Sequence, residues 1–433
     1  ADEKIGKTGL AHMFEHMAFK GSGKIGTSDW SKERPLLDEI EKIGEALTAL
    51  RTSKNPDKKE LSELSRRMGA LKHKAEQFQI KNEVWEILMR NGAKEINAYT
   101  SKDLTAFHAS MPKDCLELWV RVAAEMVFSP TFRDFYTERS VVEEERRTGL
   151  ENSPEGALTE KLLSSAYISG PYSWPTHGSK EDLQGLTIDD ARQFHAAHYV
   201  PSNMVGVIVG DISPSKVKRA ISRVFGPYPK SNVPKQPNSN GQSAGNVSLR
   251  MHFDAEPAIA IAFHKPTLPD KSEYVFDVIT ALLCDGRSSR LEKRLIYDDH
   301  LAKDVYCSDG FPGSRFDNLF LIWIEPLKGI SPHQILKAVE SEINKLQQVY
   351  VSDADLARVR KQVTSSIMFT LDSNENLAEA LARFQTVFGN WKLLADYPAN
   401  VAHVNAKDVQ SIAQKYLVKD NRVIVERLKG RQH

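Results

Sequence analysis

Hydrophobic positions in this chain recur first at helical spacing. The opening segment GLAHMFEHMAFKG has a helix period. In the longer stretch that follows, Leu36, Ile40, Ile43, Leu47 and Leu50 advance by steps of three and four, and Leu61, Leu64, Met68, Leu71, Ala75 and Phe78 do the same. Between these two runs Ser53-Lys54-Asn55-Pro56-Asp57 stops a helix. Residues 31–82 therefore read as an antiparallel helical hairpin with a narrow apolar seam. It is either a packing insertion or an arm that faces a substrate or partner. Next, Ala93–Ser110 (AKEINAYTSKDLTAFHAS) is rich in β-branched and aromatic residues with partial alternation, which predicts paired strands. Helices are expected around Leu116–Phe128, Tyr136–Leu150 and Ile188–His198, and a buried apolar strand at Met204–Val209.

The pattern then repeats. IDDARQFHAAHY leads through Val200-Pro201-Ser202-Asn203 into VGVIV, and NAKDVQSIAQKY leads through residues 417–421 into Val423-Ile424-Val425. An echo at this distance implies an α+β chain of two homologous domains, each a mainly antiparallel sheet with helices packed on one side, plus the hairpin insertion. Gly226–Gly245 is dense in Pro, Gly, Ser and Asn. The expected division is thus a first domain over 1–225, a linker over 226–246 and a second domain over 247–433.

Composition narrows the function classes. The 433 residues are 41% hydrophobic and 27% charged, ordinary values for a globular protein, and the net charge of +1 gives no basic field for nucleic acid. No apolar stretch is long enough to span a membrane as a helix. Cys115, Cys284 and Cys307 have no metal-ligand spacing, and an odd number allows at most one internal disulfide, which leaves the redox compartment open. The chain begins almost on its first helix, with no signal peptide and no preceding strand, and so reads as processed or incompletely represented.

The chemistry lies in that first helix. His12-Met13-Phe14-Glu15-His16 is an H-x-x-E-H pattern, the inverse of the H-E-x-x-H order. One helical turn separates the two imidazoles, so both project from one face with Glu15 beside them. Two neutral nitrogen donors and a carboxylate suit a catalytic Zn²⁺, which needs a third protein ligand. Glu138-Arg139-Ser140-Val141-Val142-Glu143-Glu144-Glu145 offers four carboxylates, and spacing alone does not choose among them. Glu138 and Glu145 share a face two turns apart, with Val141 and Val142 expected on the inward side. The alternative is a solvated acidic helix.

Three segments, GLAHMFEHMAFKG, INAYTSKDLTAF and ERSVVEEERR, resemble the pitrilysin-type (M16, inverzincin) metallopeptidases, a family that includes insulin-degrading enzyme and the mitochondrial processing peptidase. The resemblance extends over essentially the whole chain. It implies one Zn²⁺ per chain held by His12, His16 and Glu145, and Glu138 as their companion in the outer shell. It further implies hydrolysis of peptides or unfolded polypeptides by a metal-activated water with Glu15 as general base. Asn97-Ala98 falls in the segment that, in similar proteins, forms a sheet edge on which peptide lies as an added strand. His108 is left outside the metal site. The chain departs from the family in a longer spacing between His16 and Glu145, which the hairpin accounts for. It also lacks the strands that usually precede the zinc helix, which puts the stability of the first sheet in doubt.

A third departure lies in CDGRSSRLEKRLIYDDHLAKDVY. Many family members carry an Arg and a Tyr here that contact substrate, whereas this chain has Ile296 and Lys303. The resemblance thus implies the catalytic subunit of a heterodimer, with a sister subunit supplying the Arg/Tyr pair. A non-catalytic scaffold subunit and a peptide-binding module are the competing readings. Similar proteins with long inserts imply a bacterial periplasmic or exported location, with the mitochondrial matrix as the alternative.

Overall fold

The structure, a computed structural model, describes residues 2–229, 231–234, 241–242 and 245–430. The chain enters through α1 (Leu10–Ala18), the long helices α2 (Trp30–Thr52) and α3 (Lys58–Glu76), and α4 (Glu83–Arg90). Strands β1 (Lys94–Thr100) and β2 (Thr105–Ser110) precede α5 (Leu116–Phe128) and α6 (Phe135–Arg146). Then come α7 (Pro154–Ala166), β3 (Tyr167–Ser169), α8 (Lys180–Gly185), α9 (Ile188–His198) and α10 (Pro214–Phe225). The remainder holds β4 (Gly241–Gln242), β5 (Val247–Phe253), β6 (Ala258–Lys265), α11 (Ser272–Leu283) and α12 (Arg290–Glu292). It closes with β7 (Ala302–Phe311), β8 (Asn318–Pro326), α13 (Pro332–Gln348), α14 (Asp353–Thr370), α15 (Asn374–Phe388), α16 (Lys392–His403), α17 (Ala406–Tyr416) and β9 (Arg422–Lys429).

Two compact units divide these elements: Asp2–Thr148 with Pro175–Gln236, and Gly149–Trp174 with Pro237–His433. The segment 149–174, expected inside a continuous first domain, packs with the C-terminal unit. Leu158, Leu162, Leu163 and Ala166 of α7 lie in one cluster with Ala258, Ala260, Ala262, Leu321 and Val425 of that unit's sheet. Of the expected linker 226–246, residues 230, 235–240 and 243–244 fall outside the described residues. Gly241–Gln242 pairs antiparallel with β3.

The N-terminal unit is mainly helical. Leu10, Met13, Phe14, Met17 and Ala18 bury one face of α1 and leave the motif residues on the other. The hairpin forms as its pattern predicts, with Asp29 and Asp57 capping α2 and α3 by accepting backbone N–H bonds. Ile40, Ile43, Leu47, Met68, Leu71 and Ala75 of the seam are buried in the same core as α1. Two contacts lock the hairpin in place. Fully buried Glu33 accepts two bonds from Arg133, whose guanidinium also donates to the carbonyls of Lys20 and Ser22 just beyond α1. Gly44 lets the Tyr136 ring lie directly on α2, where an added Cβ would sit 1.9 Å from a ring carbon.

β1 and β2 form an antiparallel two-stranded sheet. Met204–Val209 is not the buried strand its composition suggests. It pairs with no strand among the described residues and leaves Met204 and Val205 37% exposed. An apolar run records hydrophobicity, whereas a strand exists only where a partner satisfies its backbone. Its counterpart, Val423-Ile424-Val425, has such partners because β9 lies between β5 and β6.

The C-terminal unit is built on a five-stranded sheet of order β5-β9-β6-β8-β7, antiparallel except for the β5–β9 pair. Alternation sorts its side chains. Ile259, Ile261, Phe263, Phe320, Ile322 and Ile324 face a core shared with α11, α13, α14, α16 and α17. With α7 on the other face, β6 is buried along its whole length. Cys284 at the end of α11 is disulfide-bonded to Cys307 of β7 across 5.6 Å between Cα atoms, and Cys115 is the free thiol.

The repeat read from sequence recurs in side-chain detail. Both α9 and α17 open on a capping box, Thr187 with Asp190 and Asn405 with Asp408. Asn203 and Asn421 then donate to the carbonyls of His198 and Tyr416, each five residues back.

Gly44→Ala tests the seating of the hairpin. Helix propensity alone would stabilise the variant by about 1 kcal/mol. Contact with Tyr136 reverses the sign, because overpacking costs about 1–3 kcal/mol. The expected outcome is a lower urea midpoint with an unchanged slope.

Candidate metal centre

The imidazoles of α1 reach the carboxylates of α6 in a half-buried setting. His12 Nε2 and His16 Nε2 lie 3.8 and 3.6 Å from the same oxygen, Glu145 Oε2. The three ligand atoms fall within 4.8 Å of one another, the one group of three or more metal-binding side chains found among the described residues. Four-coordinate zinc with bonds of ~2.0–2.2 Å places ligand atoms roughly 3.4 Å apart, so the spacing fits such an ion. Donor chemistry fits as well, with two imidazoles and one carboxylate converging without hydrogen-bonding one another.

The surroundings act in opposite senses on the two imidazoles. Burial, reinforced by His177 and His16, pushes the His12 pKa down to about 3, so this ring is a neutral lone-pair donor. Burial also acts to lower the His16 pKa, but the hydrogen bond to Glu138 and the charges of Glu145, Glu138 and Glu15 outweigh it and hold the value above the ordinary one. His16 Nδ1–H donates to Glu138 Oε2 at 3.2 Å, which turns Nε2 toward Glu145. Lys20 binds the other oxygen of Glu138 at 2.6 Å. Glu138 is thus a half-buried member of the site and not part of a solvated acidic face. Val142 is buried as expected, but Val141 is 40% exposed because α6 turns it to solvent.

Glu15 sits beside the ligands and accepts a hydrogen bond from Thr100 Oγ1 at 2.6 Å. Burial raises its pKa, and the Thr100 bond and the neighbouring His16 act against that rise. Thr100 ends β1, so the same contact brings this strand to the motif helix. Asn97 and Ala98 lie on β1 opposite His108 and Phe107. Among the described residues β1 pairs only with β2, which leaves its other edge open at Asn97-Ala98. His108 is on β2, outside the ligand group. Thr100 and Lys20 escaped the sequence reading, as did His177, whose ring is 4.9 Å from that of His12. Thr100 stands in the INAYTSKDLTAF segment and Lys20 one helical turn beyond His16, so both lay close to recognised motifs. His177 is in a distant loop with no local signal.

The expected Arg/Tyr positions in the C-terminal unit hold no equivalent pair. Ile296 packs against the apolar core, and Lys303 is an exposed side chain paired with Glu325 at 2.9 Å.

Comparison with known proteins agrees with the fold. The model "Insulinase (Peptidase family M16)" matches residues 52–180, and "Peptidase M16 inactive domain" matches residues 185–363. The chain belongs to the M16 peptidase family. It is 23% identical over 427 residues to the zinc protease PqqE of Helicobacter pylori, covering 96% of this chain and 82% of that one. It is 21% identical to a probable mitochondrial-processing peptidase subunit beta of Arabidopsis thaliana, covering 94% and 68%. The crystal structure of a protease from Helicobacter pylori superposes with a TM-score of 0.79 at 22% identity, covering 98% of this chain and 90% of that chain. The insulinase match begins inside the hairpin, so His12, Glu15 and His16 lie N-terminal to it.

Proposed function

We propose that this chain is a zinc-dependent endopeptidase acting on peptides or unfolded polypeptides. The observation that carries this reading is the convergence of His12, His16 and Glu145 with Glu15 alongside. His12 and His16 would hold the ion through Nε2 and Glu145 through a carboxylate oxygen; when bound, zinc supplies Lewis acidity toward a water and a peptide carbonyl. Glu15 takes the proton of the attacking water and returns it to the leaving amine. Thr100 orients that carboxylate, and Glu138 orients His16. The open edge of β1 at Asn97-Ala98 binds substrate as an added strand, with affinity from backbone pairing and little demand on sequence.

The chain acts as the catalytic subunit of a heterodimer whose sister supplies the Arg/Tyr pair, since Ile296 has no donor and Lys303 is already engaged. The relative named as a subunit beta supports this assembly. The Cys284–Cys307 bond favours an exported, oxidising location over the mitochondrial matrix.

Glu15→Gln is expected to retain one zinc per chain and lower kcat/KM by about 10²–10⁴-fold. Retained hydrolysis would return the assignment to a scaffold or peptide-binding subunit. Thr100→Val removes a bond that lowers the Glu15 pKa, so that pKa rises further. A base must be ionised to act, and the acidic limb of the pH–rate profile should therefore move to higher pH. Mixing the chain with a zinc-less M16 subunit that carries the Arg/Tyr pair should raise peptide hydrolysis well above that of either alone, and full activity of the lone chain would sink the heterodimer.

A further inference from the structure

Three of the polar groups gathered at this site have a further partner. His16 has Glu138, Glu138 has Lys20, and Glu15 has Thr100. His12 Nδ1 is buried and meets no hydrogen-bond partner among the described residues. A histidine that ligates through Nε2 carries its proton on Nδ1, and such a proton is ordinarily given to an acceptor that fixes the ring. Left alone, it costs the site both orientation and the desolvation of a donor.

One side chain able to accept that proton packs against the His12 ring. The His177 ring meets the His12 ring edge-on, with centroids 4.9 Å apart at 83°. A neutral imidazole has one acceptor nitrogen, and rings at this separation come within hydrogen-bonding range by rotation about χ2, a broad torsion in histidine. His177 is not a further ligand, since the converging group comprises His12, His16 and Glu145.

The backbone under His177 is held from both sides of the site. Ser179 N–H donates to Thr8 Oγ1 at 2.9 Å, and Thr8 is anchored to Asp182 through its own N–H at 3.0 Å. The Gly178 carbonyl accepts from Arg146 Nε at 3.0 Å, one residue after Glu145. Gly9 and Gly178, at φ +93° and +83°, let the loop and the start of α1 touch. A Cβ on Gly9 would lie 2.5 Å from the His177 carbonyl oxygen, and one on Gly178 would lie 2.4 Å from that of Thr8. The loop is therefore fixed to the entry of α1 and the exit of α6, the two elements that carry the ligands. The backbone that carries the His177 imidazole is thus held in place beside a buried, unpartnered nitrogen of His12.

We propose that His177 is a positioning residue for His12, accepting the Nδ1 proton and aiming Nε2 at the metal. The proposal rests on the zinc reading above and deepens it. The test uses the full chain and two variants, with zinc affinity measured by chelator competition, the visible spectrum of the Co²⁺ form, and the Tm of the metal-free protein. His177→Phe keeps a ring against His12 and removes the acceptor; His177→Gln keeps an acceptor without the ring. Expected are a 10–100-fold loss of zinc affinity and an altered Co²⁺ spectrum in the Phe variant at unchanged metal-free Tm, with most of the affinity restored by Gln. Wild-type affinity in the Phe variant, or equal losses in both variants, would overturn the role of His177 while leaving the zinc reading intact. A wild-type chain that binds no zinc would instead remove that reading, and this role with it.

Discussion

The candidate metal centre depends on a clasp between α1 and α6. Glu138 binds His16 with one carboxylate oxygen and Lys20 with the other, so one residue of α1 and one just beyond its end grip a single side chain of α6. Hydrogen bonds to charged groups are worth about 1.5–3 kcal/mol when partly shielded from water, more than an exposed ion pair delivers. Below the clasp Phe14 and Met17 share a core with Phe135 and Val142, so polar and apolar contacts select the same helix register. Two turns further along α6, Glu145 then faces both imidazoles. A shift of α6 by one residue would break the clasp and turn Glu145 away together.

What surrounds the clasp limits how it can move. Arg133 precedes α6 and reaches the chain just after α1, while Glu33 holds it from the hairpin. The hairpin is thus a packing insertion over part of its length, with its seam and Gly44 built into the core around Tyr136. Its tip and outer faces remain in solvent. On the opposite side of the site the loop at Gly178 joins the start of α1 to the end of α6.

The two units have divided the work of a duplicated pattern. The C-terminal sheet is covered on both faces and cross-linked at Cys284–Cys307, and its positions corresponding to the expected Arg and Tyr serve packing and a surface ion pair. The N-terminal unit carries the candidate metal-binding side chains and, among the described residues, leaves one edge of β1 unpaired. An open edge is a liability in a purely structural sheet and an asset where an extended chain must be bound.

By itself the sequence determined whatever depends on neighbours along the chain. The i, i+4 spacing placed His12 and His16 on one face, three-and-four steps marked the hairpin, and the repeated helix-to-strand segments announced two related units. Glu145 became legible through family resemblance, since four nearby carboxylates are locally equivalent. Tertiary structure decided the rest: that α7 packs with the C-terminal sheet, that Met204–Val209 stays unpaired, that Thr100 meets Glu15, and that a loop more than a hundred residues away sets His177 against His12. The reason is physical. Periodicity fixes the direction in which a side chain points from its own element, whereas the group it meets is chosen by how distant elements pack.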